Sequence, residues 1–130
     1  MDQALKRILY VEDDADIQTV ARMALELVGG FELEVCSSGD EAIEKIAAFK
    51  PQLILLDVMM PGMDGPTTLA RLRALPAYSA TPVVFMTAKV QQSEIEGYKN
   101  LGAVDVIPKP FDPMTLSAQV VEIWERGQHG

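Results

Sequence analysis

Cysteine and histidine are almost absent from this sequence: its 130 residues hold one of each, Cys36 and His129. A lone cysteine excludes an internal disulfide framework and suits a reducing compartment. Cys36, at the end of an expected strand, reads as a small packing residue. His129, near the C-terminus, reads as solvated tail. No stretch reaches the roughly 20 apolar residues that span a bilayer, and Met1–Lys6 holds no signal-peptide core. A cytoplasmic location without membrane contact is expected. Basic side chains are outnumbered 11 to 19, for a formal charge of −8. Such a chain repels a phosphate backbone, so direct binding of DNA or RNA is not expected. Repeats, linkers and low-complexity tracts are missing, and residues 1–130 read as one domain. Hydrophobic residues reach 48%, enough for a core that needs no disulfide or structural metal.

The apolar pattern alternates between short runs and helical spacing. Arg7–Glu12 reads as a buried strand. Ile17, Val20, Ala21, Ala24, Leu25 and Val28 then recur on one helical face, which Gly29 and Gly30 end. Phe31–Cys36 alternates as a strand, and Ser38 with Glu41 is a capping-box signature for a second helix that Pro51 closes. Leu53–Asp57 is a continuous apolar run ending on a carboxylate, as in a strand buried on both faces. Gly65-Pro66 starts a third helix. Pro82–Met86 is a fourth strand, Gln91–Leu101 a helix weakened by Gly97, and Val104–Ile107 a fifth strand. Asp112-Pro113 caps a last helix bearing Leu116, Val120, Ile123 and Trp124. Alternating strands and helices predict a mainly parallel sheet with helices on both faces. Periodicity leaves the strand order open.

In open sheets of this class, ligands sit outside the carboxyl ends of strands. Those positions hold Glu12, Asp13 and Asp14 after strand 1, Asp57 at the end of strand 3, Thr87 after strand 4, and Lys109-Pro110 after strand 5. Two carboxylates ~4 Å apart repel by about 4 kcal/mol at an effective dielectric of ~20. Gathering Glu12, Asp13 and Asp57 therefore calls for a cation. All-oxygen ligands without His or Cys favour a hard divalent ion, and Mg2+ suits few carboxylates shared with phosphate oxygens. Asp14 reads as the cap of the first helix.

The motifs ILYVEDD, LILLDVMMPGMDG, VVFMTA and PKPF, at these spacings, resemble the receiver domains of bacterial two-component response regulators, of the chemotaxis-regulator-like superfamily. The resemblance runs from about Arg7 to the last helix. It implies an α/β, doubly wound, flavodoxin-like five-stranded parallel sheet in the order 2-1-3-4-5. It also implies that Asp57 is the phosphoacceptor, with Thr87 and Lys109 binding phosphoryl oxygens. Asp13, Asp57 and the backbone carbonyl of Met59 would ligate Mg2+, with Glu12 acting through a water, and Lys109-Pro110 would be cis. The implied donor is a histidine kinase or a histidine phosphotransfer protein. The implied output is a changed surface over helix 4, strand 5 and helix 5, read by an unknown protein or output domain. The domain would modify and reset itself without being an enzyme in the usual sense.

One departure stands out: Val106 occupies the strand 5 position where the family usually has Tyr or Phe. This implies output mainly through the loop after strand 4 and the helix weakened by Gly97. Met59 and Lys89, two residues beyond Asp57 and Thr87, are expected to tune phosphoryl lifetime. Met60 and Met63 could offer adaptable partner contacts, whereas Tyr98 and Trp124 read first as helix packing. An aspartyl-nucleophile phosphatase would need a second acid where Met59 stands. A flavin carrier would need a phosphate loop where Glu-Asp-Asp stands, and aromatic residues make up only 6%. A receiver-derived interaction module that works without phosphorylation is the alternative.

Overall fold

The computed structural model describes residues 3–129, and the side chain of His129 lies outside that description. Five apolar segments form strands: β1 Arg7–Val11, β2 Glu32–Cys36, β3 Leu53–Asp57, β4 Val83–Thr87 and β5 Asp105–Pro108. All neighbours pair in parallel, in the order β2-β1-β3-β4-β5. Every residue of β3 and β4 is buried, because helices cover both faces of the sheet centre. β5 pairs with β4 alone, and Pro108 stands opposite Thr87, where an edge tolerates a residue lacking its N–H.

The connections are helical: α1 Ala15–Arg22, α2 Gly39–Phe49, α3 Gly65–Arg73, α4 Gln92–Asn100 and α5 Leu116–His129. Alternation along the strands splits the core in two. Ile8, Tyr10, Leu55 and Met86 meet Leu25, Val120 and Trp124 on the α1/α5 side. Leu9, Ile54, Leu56 and Phe85 meet Ile46, Leu69 and Leu72 on the α2/α3 side. Among the described residues, no helix is long and apolar enough to cross a membrane.

Local chemistry sets the helix starts. Asp14 Oδ1 accepts from the N–H groups of Asp16 and Ile17, at 2.9 and 3.1 Å. Ser38 Oγ accepts from Glu41 N at 3.1 Å, while the Glu41 carboxylate reaches back to Ser37 N at 2.6 Å, one residue earlier than in a reciprocal capping box. Asp64, unmarked in the sequence reading, caps α3 by accepting from Thr67 N at 2.9 Å.

The first helix departs from expectation. After Arg22 it continues as a π-helical segment, Met23–Val28, closed by Gly29 N–H donating to Ala24 O at 3.2 Å. Widening the turn rotates later side chains off the expected face. Ala24 and Leu25 stay buried, but Val28 is 52% exposed; Val20, in the regular helix before the widened turn, is already 39% exposed. Ser117 on α5 donates to Ala24 O at 2.5 Å, and a Cβ on Gly29 would collide with that hydroxyl. A 3-10 turn at Pro76–Tyr78 also escaped the periodicity. Tyr98 packs edge-on against Phe85, ring centroids 5.3 Å apart, and Trp124 lies in the α1/α5 core with its indole N–H donating to Gln3 O at 2.7 Å.

Candidate functional site

Parallel strands bring their carboxyl ends to one rim. β1 leads into Glu12 and Asp13, and β3 ends in Asp57. One carboxylate oxygen from each of Glu12, Asp13 and Asp57 lies within 4.8 Å of the others. Glu12 and Asp57 are 1% and 3% exposed, while Asp13 faces solvent. From beyond β5, Lys109 extends its ammonium between the two buried acids, with Nζ 2.9 Å from Glu12 Oε1 and 3.1 Å from Asp57 Oδ1. Its peptide bond to Pro110 is cis. Thr87, 2% exposed, ends β4 beside Asp57. Its Oγ1 accepts from Lys89 N at 3.1 Å, which leaves the hydroxyl proton for another acceptor.

Residues 8–121 match the sequence profile of the response regulator receiver domain. The chain belongs to that family. This receiver domain is 38% identical over 120 residues to the DNA-binding response regulator MtrA of Mycobacterium tuberculosis, covering 92% of this chain and 51% of that protein. It is 36% identical over 123 residues to the alkaline phosphatase synthesis transcriptional regulatory protein PhoP of Bacillus subtilis, covering 95% and 50%. The chain thus spans about half the length of these relatives. The chemotaxis response regulator CheY4 of Vibrio cholerae superposes with a TM-score of 0.85 at 28% identity, covering 92% of this chain and 99% of that one. Receiver domains are phosphorylation-based switches of two-component signalling rather than enzymes in the usual sense.

The electrostatics of this receiver domain follow from burial. Burial foremost, with Asp57 nearby, raises the Glu12 pKa above the usual carboxylate value, although hydrogen bonds from Lys109 and the Asp14 N–H oppose it. Burial works against the Lys109 ammonium, but its bonds to Glu12 and Asp57 prevail and hold its pKa above the ordinary lysine value. Removed from the site, burial pushes the Cys36 thiol up to about 12, so it is inert as a nucleophile. Three oxygen donors with neither nitrogen nor sulfur fit a hard divalent cation such as Mg2+.

The structure brings Glu12, Asp13, Asp57 and Lys109 together, with Thr87 on the adjoining strand end. Met59 and Lys89 lie on the rim: the Met59 side chain is 65% exposed, and Lys89 is exposed. Met60 is buried in the α2/α3 core. Val106 is half-buried on the side of Phe85 and Tyr98. Gly65 is tighter than helix-start statistics suggest, since a Cβ there would stand 2.6 Å from Asp57 O and 2.8 Å from Val58 Cα. The loop after the acceptor folds back so closely that only glycine fits. Tyr10, not among the expected site residues, has its hydroxyl 3.5 Å from Glu12 Oε1. The available signal was a tyrosine two residues before a strand-end acid, hence on the same face.

Proposed function

We propose that this cytoplasmic receiver domain takes a phosphoryl group onto Asp57 from a phosphohistidine on a histidine kinase or phosphotransfer protein. The observation that carries this reading is a buried carboxylate at the end of the central strand, close to two further acids and in contact with an ammonium that it shares with one of them. An Asp57 oxygen attacks phosphorus; an O–P bond forms while the bond from phosphorus to the donor nitrogen breaks. Lys109 already touches Asp57 and stands ready to pair with an incoming phosphoryl oxygen. Thr87 offers a hydroxyl proton to another. Mg2+, held by Asp13, Asp57 and the Met59 carbonyl with Glu12 through a water, would offset charge on the transferring oxygens. Met59 and Lys89, on the open rim, would set access for the water that resets the switch.

The output is a protein contact over α4, β5 and α5. With Val106 in place of an aromatic ring, α4 is the element best able to shift, since none of its residues is fully buried. No direct nucleic-acid contact by this domain is needed.

The test is incubation with acetyl phosphate and Mg2+, followed by intact mass and peptide mapping. One added phosphoryl group on the peptide holding Asp57, absent from Asp57→Asn, is expected. An unmodified parent chain points instead to an interaction module that works without phosphorylation.

A further inference from the structure

Tyr10 is fully buried in β1 on the side facing α1 and α5. A phenylalanine would fill the same apolar space without the cost of desolvating a hydroxyl. The hydroxyl has one hydrogen-bond partner among the described residues, Glu12 Oε1 at 3.5 Å. The Glu12 carboxylate thereby receives donors from three places. Lys109 Nζ, at 2.9 Å, shares Oε1 with Tyr10, and the Asp14 N–H reaches Oε2 at 3.2 Å.

These donors differ in what else they serve. Lys109 also binds Asp57, at 3.1 Å. On the phosphoryl-transfer reading, it must turn toward a new phosphoryl oxygen. Oε1 of a nearly inaccessible carboxylate would then lose its strongest donor. Among the described residues Tyr10 has no competing acceptor, and its ring is buried in the core. We propose that Tyr10 is a positioning residue for the cation site: its hydroxyl helps hold Glu12 Oε1 in register beside Lys109 in the resting site, and keeps that hold when Lys109 is drawn to the phosphoryl group. This rests on the reading of Glu12, Asp13 and Asp57 as an Mg2+ site. It adds a buried partner that orients a cation-binding acid.

The experiment is Mg2+ titration by calorimetry on the parent, Tyr10→Phe, Glu12→Ala and the double variant, with folding checked by Trp124 fluorescence. Loss of such an orienting partner is expected to weaken Mg2+ binding about tenfold in Tyr10→Phe. In the Glu12→Ala background the same substitution should change affinity less than about twofold, because its acceptor is gone. Tyr10→Leu provides a second hydroxyl-free variant and should show the same pattern. An affinity for Tyr10→Phe within about twofold of the parent, or an equal loss in both backgrounds, overturns the proposal. A role in packing alone would lower the melting temperature of Tyr10→Leu but not of Tyr10→Phe, and leave the Mg2+ affinity of both unmoved. A parent that binds no Mg2+ overturns the cation site itself.

Discussion

Replacing Lys109 with methionine keeps a long apolar stem and deletes the ammonium that bridges Glu12 and Asp57. The Lys109 side chain is 18% exposed, those of Glu12 and Asp57 2% and 4%. Removing one partner of a buried ion pair typically costs ~3–5 kcal/mol. The separation gives a similar figure: carboxylate oxygens within 4.8 Å of one another repel by at least about 3.5 kcal/mol at an effective dielectric of ~20. The protein has one escape, which is to protonate Glu12. Neutralising a carboxyl of ordinary pKa 4.5 at pH 7 costs about 3.4 kcal/mol. The loss should therefore level off near ~3 kcal/mol, with uptake of a proton.

The pH dependence follows from the same groups. An acid whose folded pKa is raised destabilises the fold at high pH and gains stability as pH falls from the folded value toward 4.5. Lys109 lowers the Glu12 pKa, so its removal raises that pKa further. The deficit of Lys109→Met is thus greatest near neutrality and shrinks on acidification. Urea unfolding followed by Trp124, the single tryptophan and a buried one, measures both. Mg2+ should stabilise the variant by more than it stabilises the parent, because the ion supplies the missing charge to the folded state alone. A loss below about 1 kcal/mol, or one unchanged with pH, would refute the view that Lys109 offsets two buried charges.

Gly65→Ala should cost about 1–3 kcal/mol through overpacking and slow phosphorylation from acetyl phosphate, since its Cβ would push on the backbone of Asp57 and Val58; denaturant melts and time-resolved intact mass check both. The hydrogen bond to the Thr67 N–H lowers the Asp64 pKa, so the cap adds stability above 3.8 that is lost as pH falls through the depressed value. Asp64→Ala should accordingly cost about 1 kcal/mol at neutral pH and progressively less below 3.8 in urea melts. Amide exchange across Gln91–Leu101 should change when a beryllofluoride phosphoryl mimic binds, and unchanged protection would count against output through α4.

What the chain discloses about itself depends on how local the cause is. Leu53–Asp57 and Val83–Thr87 declare buried strands because burial on both faces needs uninterrupted apolar residues, and the rule about strand ends then points to Asp57, Thr87 and Lys109 without any tertiary knowledge. The same rule places Glu12 and Asp13 at that rim, but periodicity leaves the strand order open, and it is the order with β1 beside β3 that brings them to Asp57. It does not show which atoms meet. Lys109 is separated from Glu12 by 97 positions, and β4 lies between its strand and β3; only a long flexible side chain closes that gap. The π-helical end of the first helix is hidden for a related reason. Met23–Val28 has the composition of an ordinary helix, and the features that fit its widened turn are Ser117, 93 positions away, and the missing Cβ of Gly29. Tyr10 lies between these cases: its face is fixed by alternation, but its purpose depends on Lys109 arriving from the far edge of the sheet. Chemistry carried by one strand end is thus written locally, whereas the sharing of a donor between strands is written in the fold.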